Sequence, residues 1–129
     1  MNVASLELCK ELYELSGWSK THMLWHKSAN PMRALSSWLP TTTEAYWSFV
    51  KENRGDEVLT IPAYDLGYLL RKLPPEDKKL GYLDLCQDGT NWMARYTKLS
   101  ATMMHAKADT PEDAAAKLAI ELFKQGMLK

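Results

Sequence analysis

Between Tyr82 and Phe123 the spacing of apolar residues changes from a strand period to a helix period within one uninterrupted stretch. Tyr82, Asp84 and Cys86 fall on one side and Leu83, Leu85 and Gln87 on the other, as in a strand with one buried face. Asp88-Gly89 marks a hairpin, because glycine tolerates positive φ. Residues 90–97 read as the returning strand, with Trp92, Ala94 and Tyr96 on one face. Residues 98–100 make a second turn and residues 101–108 a third strand. A helix follows. Thr110 is its N-cap, Pro111 takes the first helical position, and Glu112 and Asp113 supply an acidic first turn. Ala115, Leu118, Ala119 and Leu122 form the apolar stripe, Ile120 and Phe123 broaden it, and Gly126 ends it. A period-two meander running into an amphipathic helix implies an α+β fold, with helices laid on one sheet face.

The rest of the chain supplies more helix. Ser5 caps a helix over residues 5–16 whose stripe is Leu8, Cys9, Leu12 and Leu15, with Gly17 in the left-handed cap position. Val58, Leu59 and Ile61 form an apolar approach to a second helix, which Pro62 opens and Pro74-Pro75 stops. Its stripe is Leu66, Leu69, Leu70 and Leu73, with Asp65 near the positive end and Arg71 and Lys72 near the negative end. Residues 76–79 read as a charged connector. The stretch between is less regular: residues 21–27 and 34–39 permit strands, and residues 43–50 permit a short helix ending near Arg54-Gly55, or a strand. The expectation is an α+β fold, a three-stranded antiparallel meander packed by N-terminal, central and C-terminal helices. An extra strand or helix is expected within residues 19–55. No repeat or linker divides the chain, so residues 1–129 are expected to form a single domain.

Sixteen Lys+Arg against sixteen Asp+Glu give zero formal charge, which argues against a protein built to grip a phosphate backbone. With 46% hydrophobic residues in 129, the chain can build a core without staples. The N-terminus has no basic start followed by an apolar stretch, and apolar runs such as Met23-Leu24-Trp25 are far short of the roughly 20 residues that span a bilayer. A cytoplasmic, membrane-free protein is expected, with Cys9 and Cys86 as reduced small hydrophobes.

Catalytic constellations are missing from the pattern. His22 and His26 are four apart, but on a strand that spacing separates them by roughly 13 Å, and His105 lies in another segment. There is no Gly-x-Ser-x-Gly elbow, no glycine-rich phosphate loop, and no diagnostic pair among Asp65, Asp84 and Asp88. The expectation is a non-enzyme without metal or cofactor. The aromatic residues offer more. Four of five tryptophans, Trp18, Trp25, Trp38 and Trp47, fall within thirty residues, and seven methionines add adaptable apolar surface. These tryptophans are core, a candidate partner interface in a homodimer or against another protein, or a surface on which exposed bases or sugars stack.

Two stretches resemble a family. Pro62-Ala63-Tyr64-Asp65-Leu66-Gly67-Tyr68-Leu69-Leu70-Arg71-Lys72-Leu73-Pro74 and the run from Ala108-Asp109-Thr110-Pro111 to Glu121-Leu122-Phe123 are similar to small proteins encoded by bacteriophages, prophages and gut metagenomes. Cys9-Lys10-Glu11-Leu12-Tyr13-Glu14-Leu15-Ser16-Gly17-Trp18 resembles their first helix. That family has no assigned activity, so the resemblance implies an accessory role through protein contact and carries over no functional residue. The three strands and Ala-rich final helix also resemble the C-terminal half of a double-stranded-RNA-binding domain, which implies a nucleic-acid-binding alternative. Asp109, Glu112 and Asp113 stand where that family needs cations, so no specific nucleic acid is expected. A minor hydrolase is the remaining alternative.

Overall fold

The alternating stretch folds into β5 (Gly81–Asp88), β6 (Asn91–Lys98) and β7 (Ala101–Ala108), in a computed structural model describing residues 2–28, 38–52 and 58–128. Register follows the pattern. Leu83 opposes Tyr96 and Leu85 opposes Ala94, with Met104 and Ala106 completing the inner face on β7. On the outer face Asp84 opposes Arg95, whose guanidinium lies 2.9 Å from the carboxylate. Both hairpins close through two-residue loops. Gly89 (φ 65°) takes the first position of one, whereas Leu99 (φ 51°) and Ser100 (φ 66°) hold the other in the left-handed region. Leu99 is a β-carbon residue in a conformation that favours glycine or asparagine, and it is 95% exposed.

The meander is longer than the sequence implies. Residues 76–79 are not simply a connector: β4 (Glu76–Asp77) pairs with the start of β5, giving a four-stranded antiparallel sheet in the order β4-β5-β6-β7. The Asp77 carboxylate accepts the backbone N–H groups of Lys79 and Leu80 at 2.8 and 3.0 Å, which sets the turn. Gly81 completes it at φ 90°, where a Cβ would stand 1.9 Å from the Thr97 carbonyl oxygen. Only glycine fits there.

A second sheet is built partly from residues 19–55, where an extra strand or helix was expected, and takes its third strand from residues 58–63. β1 (Met23–Ser28) lies between β2 (Leu39–Thr42) and β3 (Val58–Ala63), all antiparallel, and α2 (Thr43–Glu52) follows β2 directly. Of the strand expected at 34–39, Leu39 opens β2; residues 34–37 and the expected helix end at Arg54-Gly55 lie outside the described residues. Pro62 does not open a helix. It sits inside β3 opposite Leu24, tolerated because β3 is an edge strand, where a missing N–H leaves no ladder bond unmade. The central helix, α3 (Leu66–Lys72), begins later. Asp65 is its N-cap, accepting the Tyr68 N–H at 2.7 Å.

α1 (Leu6–Ser16) ends at Gly17 (φ 69°), as its sequence implies. Its N-terminus is held from outside: the Ser5 N–H donates to the Asp113 carboxylate at 2.7 Å, and the Ala4 N–H to the Tyr64 carbonyl at 2.9 Å. α4 (Pro111–Lys124) has both expected ends. Thr110 accepts the Asp113 N–H, and the Gly126 and Met127 N–H groups return to Phe123 and Leu122 in a Schellman closure. α4 packs on β6 and β7, with α1 and α3 against it and α1 also against β3. Ala114, Ala115, Ala116, Leu118 and Ala119 are wholly buried there, beside Cys9, Leu12, Leu69, Tyr64 and Tyr96. The fold is α+β.

Leu118→Ala is expected to destabilise by about 2–5 kcal/mol, since its cavity opens among tightly packed neighbours, whereas Leu70→Ala on the exposed side of α3 should cost well under half as much. Chemical denaturation measures both. The pair Leu99→Asn and Ser100→Gly should stabilise by about 1 kcal/mol, because these residues relieve left-handed strain at an exposed tip. An unchanged or lower denaturation midpoint would show that the loop is not strained.

Candidate functional site

The four tryptophans singled out by sequence go to different places. Trp18 is packed edge-on against Tyr64, Tyr68 and Phe123, with ring centroids 5.2–6.4 Å apart, and the Lys72 ammonium lies 5.5 Å from its ring centre. The Tyr64 hydroxyl donates to the Trp18 carbonyl at 2.7 Å. Trp25, on β1, packs its half-buried ring against the core; its indole N–H is buried against the Cys9 thiol without a well-formed hydrogen bond to the described residues. Trp38 is half-buried, with the Lys10 ammonium 5.3 Å from its ring centre. Trp47, on α2, is 57% exposed and meets Tyr46 edge-on at 5.4 Å. Among the described residues no ring contact joins any two of the four.

Trp47 belongs to a cleft of about 340 Å³ that sequence reasoning did not assemble. Tyr13 from α1, Leu24 from β1, Pro62 from β3, and Tyr46 and Trp47 from α2 form its walls. Ser19, Thr21, Thr43 and Thr60 add hydroxyls. Two of these fix the frame: the Thr43 hydroxyl donates to the Thr21 carbonyl at 2.9 Å, and the Thr21 hydroxyl donates to the Met23 carbonyl. Tyr13 is 40% exposed and Tyr46 half-buried, and their phenol hydroxyls, like the Trp47 indole N–H, make no hydrogen bond to the described residues. None of the described lining residues is charged. The only sequence signal for Tyr13 is its place beside the α1 stripe, an aromatic outside the Leu8, Cys9, Leu12 and Leu15 set.

A second groove, about 500 Å³, runs beside β7. Leu8 of α1, Met104 and Ala106 of β7 and Ile120 of α4 give it an apolar floor. Glu11, Glu121, Lys117 and Lys124 are its charged rim, two of each sign. Lys124 pairs with Glu11 at 3.0 Å, and the Lys117 ammonium donates to the Lys107 carbonyl at 3.2 Å. β7 is the last strand of its sheet, so one row of its backbone groups has no strand partner among the described residues.

Other candidates disperse. His22 is exposed before β1, His26 lies on β1 with its ring 6.3 Å from Tyr46, and His105 is on β7 opposite Arg95. Burial holds the His26 pKa below the usual histidine range. No group of three or more potential metal ligands occurs among the described residues. Cys9 and Cys86 are both free of disulfides; burial pushes the Cys9 thiol up, opposed by the Tyr64 backbone and the Trp25 indole. At the start of α4, Glu112 is buried and Asp113 is engaged by Ser5. No described helix is long and apolar enough to cross a membrane. No family model, curated protein or solved structure matches the chain.

Two buried phenols of the core give a pH signature. Burial raises the Tyr64 hydroxyl far above the ordinary tyrosine range, and burial, assisted by nearby Asp77, lifts Tyr96 to about 12. The Tyr96 hydroxyl donates to the Pro74 carbonyl at 2.7 Å. Because the folded state keeps both neutral, their stabilisation is complete below the unfolded pKa of about 10 and is lost as pH rises toward 12. Urea midpoints are expected to fall steeply over that window. The double variant Tyr64→Phe, Tyr96→Phe should start lower by about 1–2 kcal/mol per site and show a shallower fall. Equal slopes would refute the assignment.

Proposed function

We propose that the protein is a non-enzymatic accessory protein of the phage type, acting through protein–protein contact, and that two copies associate along β7. The observation that supports this is the contrast between sheet edges. β2 carries Pro40 and β3 carries Pro62, and β4 is two residues long, all features that blunt strand addition. β7 has eight residues and no proline, and an apolar groove lies beside it. Met103, 49% exposed, stands on the same strand. A rim with two acids and two bases is self-complementary under a two-fold axis, and a chain of zero formal charge meets its copy without long-range repulsion.

The nucleic-acid alternative has less support. The helix end that would meet phosphate presents Asp109 to solvent, and its other two acids are engaged within the fold.

Sedimentation velocity tests the proposal. Wild-type protein should be dimeric in the micromolar range. Lys117→Glu with Lys124→Glu, both at exposed positions, should leave the fold intact but give monomers, because the rim then carries one sign. Glu11→Lys with Glu121→Lys should do the same. Mixing the two variants should restore a dimer. A wild-type monomer at about 100 μM, or a mixture that stays monomeric, refutes the arrangement.

A further inference from the structure

The uncharged cleft has donor groups to spare and flat aromatic faces open to solvent, a combination that fits one kind of occupant. We propose that it binds an uncharged, proline-rich segment of a partner protein in the extended polyproline II form. Such a segment has no internal hydrogen bonds, and its prolines present carbonyl acceptors but no N–H donors. The cleft is the complement: the Tyr13 and Tyr46 hydroxyls and the Trp47 indole N–H are donors without a partner in the described fold. Trp47 at 57% and Tyr13 at 40% exposure offer ring faces on which pyrrolidine rings pack.

Competing occupants fit less well. A sugar brings many hydroxyl donors and calls for carboxylate or amide acceptors, and none is among the described residues that line the cleft. A charged peptide or a phosphate chain finds no counter-charge there. A β-strand would need a ladder, but the sheet beneath the cleft has a proline in each edge strand. What remains is recognition by side chains of a chain that forms no ladder. A pre-extended segment also loses little conformational entropy on binding, which suits a shallow site.

The inference rests on the contact reading only in that the occupant belongs to a protein. The cleft shares no lining residue with the β7 groove. Calorimetric titration with a peptide of about ten prolines is the test, on wild-type protein and on the Lys117→Glu, Lys124→Glu variant, so that failure of the dimer leaves this result readable. Saturable binding is expected in both, tens to hundreds of micromolar in Kd, and at least about tenfold tighter than a glycine-serine peptide of equal length. Trp47→Ala should weaken it at least about tenfold, and Tyr13→Phe, which keeps the ring and removes only the donor, by about threefold or more, with melting temperatures unchanged. Absence of binding at about 2 mM peptide, undiminished binding in both variants, or preference for a β-linked glucose oligosaccharide overturns the proposal.

Discussion

Everything in this fold is arranged around how closely other elements can approach α4. Ala114, Ala115, Ala116 and Ala119 have no exposed surface, because α4 meets the inner face of β6 and β7, α1 and α3 on several sides at once. A helix surrounded in this way cannot keep a polar face of ordinary width. Small side chains let the neighbouring backbones come near, and Leu118, Ile120 and Leu122 fill the spaces between them. The same crowding explains why the few polar groups at its N-terminus are engaged. Asp113 both belongs to the first turn, where the helix dipole favours a carboxylate, and accepts the N–H of Ser5, which α1 leaves without an internal partner. One carboxylate thus closes two helix ends.

What the sequence makes legible is what local chemistry decides. α4 carries its N-cap, proline, acids, stripe and closing glycine in its own residues, and β5 and β6 carry their alternation and turn. Pro62 was misleading for a physical reason: a proline is equally at home in the first turn of a helix and in an edge strand, and edge position is a property of the whole sheet. Asp65 resolves the ambiguity only in retrospect, since a cap so close after Pro62 leaves no room for the helix to start earlier. β4 was hidden because two acidic residues have no strand signature of their own. They pair through the turn that Asp77 and Gly81 make possible.

The tryptophan cluster shows the same limit from the other side. Proximity in sequence suggested one surface, but Trp25 lies on β1 against the core, Trp38 precedes β2 beside Lys10, Trp47 lies exposed on α2, and Trp18 is absorbed by Tyr64, Tyr68 and Phe123. The cleft that does form joins Tyr13 to Tyr46 and Trp47 across more than thirty residues, through a sheet whose existence the sequence left open. Long-range pairing of β1 with β3 is the step that local patterns do not encode.

α1 contributes to both surfaces, Leu8 and Glu11 to the groove beside β7 and Tyr13 to the aromatic cleft. A shared helix is a route for coupling only if it has two arrangements to choose between. Its start is tied by Ala4 to Tyr64 and by Ser5 to Asp113, and just past its end the Trp18 carbonyl is held by the Tyr64 hydroxyl. Between these ties Cys9 and Leu12 are fully buried, so a shift of the helix would have to break packing along its whole inner face. That rigidity argues for two surfaces that act independently, each presented by a helix held fixed between β3 and α4 rather than by a moving part.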